Sequence, residues 1–205
     1  MLLQQVDISN DNITSDQLQL GKDFITSYQD IFSKDDYDIG HTNIVQHKIL
    51  LEDDRPFKQR YRHIPPSMYE DVKSHLYQML RAGIIRKSHS PYASNVVLVK
   101  KKNGTLRICV DYRELNLKTK KDAYALPRME DMLDCMAGNK YFSTVDMKSG
   151  YHQVEILEEH KERTAFTVGP LGLFEYNRMP FGLACAPALC KIASEIFTCV
   201  YVAYL

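Results

Sequence analysis

The sequence lacks the features that define several easily recognised classes of protein. None of its five cysteines belongs to a C-x-x-C pair, so the pattern favours reduced thiols in an intracellular protein over a zinc site or a disulfide framework. No apolar run approaches the roughly 20 residues that a membrane span needs. The N-terminus has neither the basic start nor the long apolar stretch of a secretory signal. A glycine-rich phosphate loop, a serine elbow and a paired-histidine helix are also missing.

What is present is the composition of a folded globular protein. The 205 residues are 44% hydrophobic and 25% charged, which excludes a wholly disordered or fibrous chain. A chain of this length buries roughly 70% of its unfolded surface, so it needs no metal or disulfide to hold a core. The length corresponds to one large domain or two small ones.

The formal net charge of zero conceals an uneven distribution along the chain. Residues 1–54 carry a balance of −8, residues 55–128 carry +12, and residues 129–205 carry −4. A basic middle segment between acidic flanks predicts a face for a polyanion beside a face that holds carboxylates. An ordinary solvated surface is the alternative, and charge alone favours it.

Apolar periodicity predicts an α+β fold, because helices and strands are mixed and two pairs of strands form hairpins. Helical spacing predicts helices within residues 1–54, over about 67–82, where Ser67-x-x-Glu70 has the form of a capping box, from Pro127 to Gly138, and after residue 187. Shorter apolar runs predict strands at residues 47–51, 95–100, 106–111, 141–145, 164–168, 173–176 and 199–202. The turn sequences around Asn103-Gly104 and Gly169 to Gly172 predict the two hairpins.

Two segments carry side chains that suit a nucleotide. Lys101 and Lys102 fall at the tip of the first predicted hairpin, and Arg107 falls on its return strand, where point charges and a planar guanidinium together suit a triphosphate. Phe181 and Gly182 combine a ring that can stack on a base with a residue that permits close backbone approach. Taken alone, the hairpin is better explained as an ordinary basic turn, and the Phe181 segment is equally well explained as a buried turn.

A third segment suits a divalent cation. Asp146 ends a predicted strand and is followed by a turn containing Gly150, so its carboxylate can hold a cation while backbone N–H groups face phosphate oxygens. Tyr151, five residues on, can lie against a sugar ring. A capping aspartate and a core tyrosine are the alternative. His152 and His160 lack the spacing of metal ligands and are predicted to be ordinary polar residues.

Five motifs, taken in their order, resemble the reverse transcriptase of gypsy-type LTR retrotransposons. They are Ser88–Ser94, Val97–Gly104, Arg107–Asn116, Tyr141–Gln153 and Met179-Pro180-Phe181-Gly182-Leu183. The resemblance covers roughly residues 45–187, and the ordered set is far more specific than any single motif. It implies a right-handed polymerase with fingers and palm, and an antiparallel palm sheet with packed helices that is incomplete at the C-terminus. Residues 1–54 resemble the leader or linker between the protease and polymerase regions, and 55–205 the fingers and partial palm.

The resemblance also implies roles for individual residues. Asp146 would be the first catalytic, metal-binding carboxylate, and the backbone of Met147 would complete a ligand set for Mg²⁺, with Mn²⁺ as the alternative ion. Tyr151 would be the steric gate against a ribose 2′-hydroxyl. The implied contacts to the dNTP are Lys101, Lys102, Arg107, Ser149, Gly150, Tyr151, Phe181 and Gly182. The residues implied near the template are Arg113, Asn116 and Pro187. The implied partners are an RNA or DNA template with its primer and a dNTP, with no membrane.

The sequence departs from the family pattern after Pro187. The family continues with a long helix and a strand that carries a Y-x-D-D box, which these 205 residues do not contain, and Ala188-Leu189-Cys190-Lys191 lacks the expected aromatic-glutamine pair. The thumb, connection and RNase H regions of the family are also missing from this chain. One carboxylate cannot fix two metals roughly 3.5–4 Å apart. We therefore expect that this polypeptide does not polymerise by itself.

Two other hypotheses stay open at this point. The chain could be a noncatalytic nucleic-acid-binding remnant that uses the basic residues 55–128, or a pseudogene product without a stable fold. The expected location is the cell interior, with the cytoplasm, in a retroelement particle, and the nucleus as the compartments that the resemblance implies.

Overall fold

The structure is a computed structural model that describes residues 14–35, 37–100, 106–121, 128, 130, 133–134, 137–138 and 147–186. The chain divides into two compact units, one that ends at Asp38 and one that begins at Ile39. Each unit is described by itself.

In the described part of the first unit, α1 (Ser15–Ser27) is an α-helix, and a 3₁₀ turn follows it at Gln29–Ile31. Thr14 and Gln17 form a capping box, in which the Thr14 side chain accepts from the Gln17 N–H and the Gln17 side chain accepts from the Thr14 N–H. No residue of α1 is buried. The helix predicted within residues 1–54, with little core of its own, is therefore confirmed.

The second unit mixes strands and helices, as the α+β prediction requires. Among the described residues, its α-helices include α2 (Tyr69–Arg81) and α3 (Arg113–Lys118). Its strands are β1 (Thr42–His47), β2 (Ile85–Lys87), β3 (Ser94–Lys100), β4 (Leu106–Asp111), β5 (Val154–Ile156), β6 (Phe166–Thr167) and β7 (Leu173–Tyr176). Among the described residues, no helix is long and apolar enough to cross a bilayer.

Five of the strands form the main sheet, in the order β2-β7-β6-β3-β4. The pairs β2–β7, β6–β7 and β3–β4 are antiparallel, whereas β3 and β6 run parallel. A second, two-stranded parallel sheet joins β1 to β5. The sheet predicted to be antiparallel is therefore mixed, because β6 follows β3 through a long connection and not through a hairpin.

The core lies where α2 and the loops pack against the main sheet. Val72, Leu76 and Met79 form the buried stripe of α2, and Phe166 and Met179 are almost completely buried on the sheet side. Each fully buried side chain of this kind contributes about 1.5–3 kcal/mol relative to leaving it exposed. The basic and aromatic residues of the candidate site rest on this core.

Both predicted hairpins are confirmed, and so is the helix over 67–82, although its start differs. Pro66–Met68 forms a 3₁₀ turn, closed by the Met68 N–H donating to the Pro65 carbonyl over 2.9 Å. Met68 is then the cap of α2, without a side-chain hydrogen bond. The Ser67–Glu70 capping box is therefore wrong, because Ser67 lies inside the turn that precedes the helix.

The strand predicted at residues 47–51 is displaced, since β1 ends at His47. Beyond His47, the Ile49 N–H donates to Nδ1 of His160 over 3.0 Å, so a side chain takes the place of a strand partner. Although β1 precedes residue 54, it belongs to the second unit; the functional division at residue 54 stays a prediction. The strands predicted at 141–145 and 199–202, the helix after 187 and most of the helix from Pro127 to Gly138 lie outside the described residues.

Candidate active site

The candidate site brings two of the predicted nucleotide-binding residues to the ring of a third, Phe181. The Tyr151 ring meets it edge-on, with centroids 4.7 Å apart and an interplanar angle of 87°. Cζ of Arg107, on β4, lies 5.9 Å from the Phe181 centroid, within cation–π range. Phe181 nevertheless keeps 46% of its surface exposed. The arrangement is an exposed aromatic ring with a guanidinium over it.

Phe181 is presented by a turn whose flanks are buried. Met179 and Leu183 are buried in the core on either side, which leaves Phe181 and Gly182 on the surface between them. Gly182 has a φ of +95°, a conformation that favours glycine. A Cβ built there would lie 3.8 Å from the Tyr112 ring and 3.9 Å from the Val110 carbonyl oxygen, so the turn lies against the end of β4.

The turn that follows Asp146 also has a special backbone. Within the described part of the chain, Ser149 is the one non-glycine residue with a positive φ, at φ 49° and ψ 43°. The Ser149 carbonyl accepts from the His152 N–H over 2.8 Å, and the Lys148 carbonyl accepts from Nε2 of Gln153 over 3.1 Å. Left-handed residues in such turns point successive N–H groups into a concave anion site. This geometry suits the predicted contact of Ser149 and Gly150 with phosphate, which stays a prediction.

Arg113, predicted to lie near the template, forms a bidentate ion pair with Asp111. Its Nε and Nη2 donate to the two carboxylate oxygens over 2.8 and 2.6 Å, and these bonds hold the pKa of Asp111 below its usual range. Nη2 of Arg62 lies 3.9 Å from the same carboxylate. Two guanidinium groups around one carboxylate leave a local excess of positive charge, which suits a nucleic-acid phosphate.

Asn116, the other described residue predicted near the template, is bonded to the turn that carries Phe181. Its Nδ2 donates to the Gly182 carbonyl over 2.8 Å, and its Oδ1 accepts from the Ala184 N–H over 2.9 Å. The structure therefore shows an intramolecular role for this side chain. Asp146, Lys101, Lys102 and Pro187 lie outside the described residues, so their predicted roles stay predictions.

His152 belongs to the site although we predicted it to be an ordinary polar residue. Its ring stacks on Tyr176 at 6.1 Å and meets the Phe181 ring edge-on at 5.4 Å. Nδ1 lies 3.1 Å from the Met179 carbonyl, and because a carbonyl only accepts, Nδ1 carries the proton. Burial lowers the pKa of His152, so the ring is neutral near pH 7. In the sequence, only the position of His152 directly after Tyr151 could have indicated that it belongs to the site.

A separate open cavity, of about 480 Å³, lies elsewhere on the second unit. It is lined by Arg86, His89, Ser90, Glu158, Glu159, Glu162 and Glu175. Four carboxylates against one arginine make this cavity unsuited to a triphosphate. It contains none of the predicted site residues, so we assign the candidate active site to the surface around Phe181.

The fold matches that of solved reverse transcriptases. The native protease-reverse transcriptase of prototype foamy virus superposes with a TM-score of 0.80 at 26% identity, over 89% of this chain and 24% of that chain. The foamy viral protease-reverse transcriptase in complex with RNA/DNA hybrid also gives a TM-score of 0.80, at 24% identity. The predicted class, an α+β right-handed polymerase, is thereby confirmed.

The family follows from sequence comparison. The family model described as "Reverse transcriptase (RNA-dependent DNA polymerase)" matches residues 99–200. The Drosophila melanogaster Pol polyproteins from transposons 412 and 297 are 33% and 32% identical over 79% and 87% of this chain. The Transposon Tf2-3 polyprotein of Schizosaccharomyces pombe is 39% identical over 61%. The chain belongs to the reverse transcriptase family, and its relatives are retrotransposon polyproteins, as the motifs indicated.

The chain spans a small part of the curated relatives. It covers 14% and 17% of the two Drosophila polyproteins and 9% of the Schizosaccharomyces polyprotein. The activities and partners of those whole proteins therefore come to this chain only as proposals.

Proposed function

We propose that this domain encodes template-directed DNA synthesis, in which a primer 3′-hydroxyl attacks the α-phosphate of a dNTP and pyrophosphate leaves. The observation that carries the proposal is the contact of Tyr151 and Arg107 with the exposed ring of Phe181. A nucleotide site requires a cation for the phosphates, a side chain beside the sugar and a ring for stacking. Arg107, Tyr151 and Phe181 would supply these three groups at one place. Family membership supports the same reaction.

Each described residue has a defined task in this proposal. Arg107 pairs with the phosphates of the nucleotide, and the N–H groups of Ser149 and Gly150 donate to them. Tyr151 lies against the 2′ position of the sugar, where a hydroxyl would clash with its ring. Phe181 supports Tyr151 from the side, and the exposed surface of Phe181 faces the nucleotide.

Mg²⁺, with Mn²⁺ as the alternative, is the metal that this reaction uses. Among the described residues, no group of three or more His, Cys, Asp or Glu could hold a metal ion. By the family motif, Asp146 would supply the carboxylate and the Met147 carbonyl the second oxygen. Hard oxygen donors of this kind fit Mg²⁺. When bound, the metal neutralises charge that develops on the transferring phosphoryl group.

The proposed macromolecular partner is a template with its primer. The foamy viral relative was solved in complex with RNA/DNA hybrid, and residues 55–128 of this chain carry +12. Arg113 and Arg62, which both pair with Asp111, would contact backbone phosphates. Asn116 and Pro187 are the other residues that the family motif implies near the template.

We also propose that these 205 residues do not polymerise by themselves, because they contain no Y-x-D-D box. Primer extension by the chain should equal that of Asp146→Ala. Extension clearly above this control would contradict the proposal. An open reading frame that continues into an in-frame Asp-Asp pair would favour the enzyme over a remnant or a pseudogene product.

Nucleotide binding tests the site without requiring turnover. Calorimetric titration with dATP and ATP should show a preference for dATP that Tyr151→Ala reduces roughly tenfold or more, the order expected when a close steric contact is removed. His63→Gln, on an exposed histidine, is the control and should keep the preference. Salt-dependent binding of a primer–template with no dATP binding would favour the noncatalytic remnant, and a noncooperative melt would favour the pseudogene product.

A further inference from the structure

We propose that Asn116 is a positioning residue of the nucleotide pocket, which acts by fixing the turn that carries Phe181. The inference rests on the proposed function. Both ends of the Asn116 carboxamide form intramolecular hydrogen bonds. Nδ2 donates to the Gly182 carbonyl over 2.8 Å, and Oδ1 accepts from the Ala184 N–H over 2.9 Å. The side chain thus pairs with two alternate residues of the turn, as a neighbouring strand would.

The support beneath Asn116 is rigid. The Asn116 N–H donates to the Tyr112 carbonyl over 2.8 Å, and Leu115, the preceding residue, is completely buried. Tyr112 is itself buried and donates its hydroxyl to the Thr164 carbonyl over 2.8 Å. Because these contacts fix α3, they also fix the direction of the carboxamide.

The turn needs this support because two of its residues face solvent. Phe181 is nearly half exposed, and Gly182 is exposed with a left-handed φ. Without Asn116, the Gly182 carbonyl and the Ala184 N–H would bond to water, and the segment between the buried flanks Met179 and Leu183 would lose the two hydrogen bonds that this side chain gives it. Side-chain bonds of this kind set a turn's conformation where backbone pairing is missing.

The position of the turn matters because Phe181 touches both polar groups of the proposed pocket. Its ring meets the Tyr151 ring edge-on and lies within cation–π range of the guanidinium of Arg107. A shift of the turn therefore displaces the gate and the phosphate-binding arginine together. Loss of Asn116 should weaken nucleotide binding more than nucleic-acid binding, the reverse of what a direct template contact would give.

The two ends of the carboxamide can be separated by substitution. Asn116→Asp keeps an acceptor for the Ala184 N–H but has no donor for the Gly182 carbonyl, whereas Asn116→Ala removes both bonds. Gln59→Ala is the matched control, because the Gln59 carboxamide also uses both ends, donating to Glu114 over 3.1 Å and accepting from the Asn95 N–H over 2.9 Å. It makes none of its hydrogen bonds to the Phe181 turn.

The experiment combines amide hydrogen exchange of the 205-residue chain with equilibrium binding of dATP and of a primer–template duplex. Asn116→Ala should speed exchange of the Ala184 amide roughly tenfold, the equilibrium worth of one net hydrogen bond. It should weaken dATP binding about threefold to tenfold and leave duplex binding within about twofold. Asn116→Asp should keep the Ala184 amide protected yet still weaken dATP binding, and Gln59→Ala should change neither quantity.

Three outcomes would overturn the inference: normal Ala184 exchange in Asn116→Ala, unchanged dATP affinity in that variant, or a larger loss of duplex affinity than of dATP affinity. The last result would assign Asn116 to the template instead. Absence of dATP binding by the unsubstituted chain would contradict the proposed function. Exchange of the Ala184 amide does not depend on dATP, so it would still test whether Asn116 holds the turn. If Asn116→Ala does not fold, Asn116→Asp decides the question through dATP affinity.

Discussion

Ser149 adopts a backbone conformation that costs an L-amino acid about 1–2 kcal/mol. The surrounding bonds, from His152 to the Ser149 carbonyl and from Gln153 to the Lys148 carbonyl, hold it there. Strain of this kind concentrates at functional sites, and here it shapes the turn next to Asp146.

Substitution of Ser149 tests this strain directly. Ser149→Gly should raise the free energy of unfolding by about 1 kcal/mol, because glycine adopts a positive φ without steric cost. Ser149→Val should lower it by a similar amount or more. Urea unfolding measures both, and Ser67→Gly, in the 3₁₀ turn before α2, is the control that should give no gain. A loss of stability in Ser149→Gly would mean that the serine side chain outweighs the backbone strain.

A buried carboxylate depends on one arginine. Glu175 on β7 is buried and accepts from Ser88 and, over 2.7 Å, from Nε of Arg86. Nη1 of Arg86 also contacts the exposed Glu158 over 2.6 Å. Because β2 and β7 are paired through these side chains as well as through their backbones, the ion pair fixes their register.

Removal of Arg86 from the Arg86–Glu175 ion pair should lower the stability of the fold. Arg86→Ala should lower the free energy of unfolding by about 3–5 kcal/mol, since the Glu175 charge stays buried without its partner. Glu158→Gln, on the exposed arm of the same arginine, should cost less than about 1 kcal/mol. Chemical denaturation measures both. Equal effects of the two variants would show that Glu175 reaches solvent when Arg86 is gone.

At the scale of elements, the junction of β1 with the 3₁₀ helix Glu158–Thr164 is built on two histidines. His47 is buried, and burial lowers its pKa to about 4. Burial also lowers the pKa of His160, whose Nδ1 accepts from the Ile49 N–H. His160 must be neutral when its Nδ1 accepts this bond, because a protonated Nδ1 cannot accept. Burial favours the neutral form of His47.

This junction predicts a loss of stability in mild acid. Since the unfolded His47 binds its proton near pH 6.5, its stabilising effect is complete above that pH and is lost as the pH falls from about 6.5 to 4. The loss attributable to His47 should reach about 3 kcal/mol. His47→Gln should flatten the profile of unfolding free energy over this range, while His63→Gln should leave it unchanged. A profile of equal slope in His47→Gln would assign the acid sensitivity to other groups.

Many elements could be predicted from the sequence because their signals are local. The sequence of the β3–β4 hairpin has the turn signal Asn103-Gly104 between two largely apolar runs, and the bounds of β3 and β4 agree with the prediction within one residue. In contrast, β2 and β5 have three residues each, too few for a period to show. Their existence depends on partners far away in the chain, β7 and β1, which sequence periodicity does not reveal.

In the candidate site, too, residues with local sequence signals could be predicted, whereas contacts between distant segments could not. Arg107, Tyr151 and Phe181 were found through motifs, since residue type and order are visible in a sequence. Motifs did not reveal the stacking of His152 on Tyr176 or the two hydrogen bonds of Asn116. These contacts join residues that lie 24 and 66–68 positions apart in the chain. The residues that we propose to contact the nucleotide could be predicted from the sequence, whereas the residues that hold them in place could be identified only from the fold.

At the scale of the whole molecule, the proposed nucleic-acid surface contains a carboxylate that opposes binding. Asp111 lies between Arg113 and Arg62 and offsets one of their charges. Asp111→Asn should therefore strengthen binding of a primer–template and steepen its salt dependence by up to about one unit in the slope of log K against log salt. Arg113→Ala should weaken binding.

Fluorescence anisotropy across a salt series measures these slopes. Glu158→Gln, which removes a charge from the acidic cavity, is the control and should change the slope little. A weaker complex with Asp111→Asn would show that the carboxylate organises the arginines more than it offsets them.

The self-capped helix α1 has a consequence for how the molecule responds to heat. None of its 13 residues is buried, and a free-standing helix of that length is marginal in water. Far-ultraviolet circular dichroism should therefore record a gradual decline well below the main transition, as large as the contribution of the equally long α2. Calorimetry, which registers the release of packed side chains, should detect no heat-absorption peak during that decline.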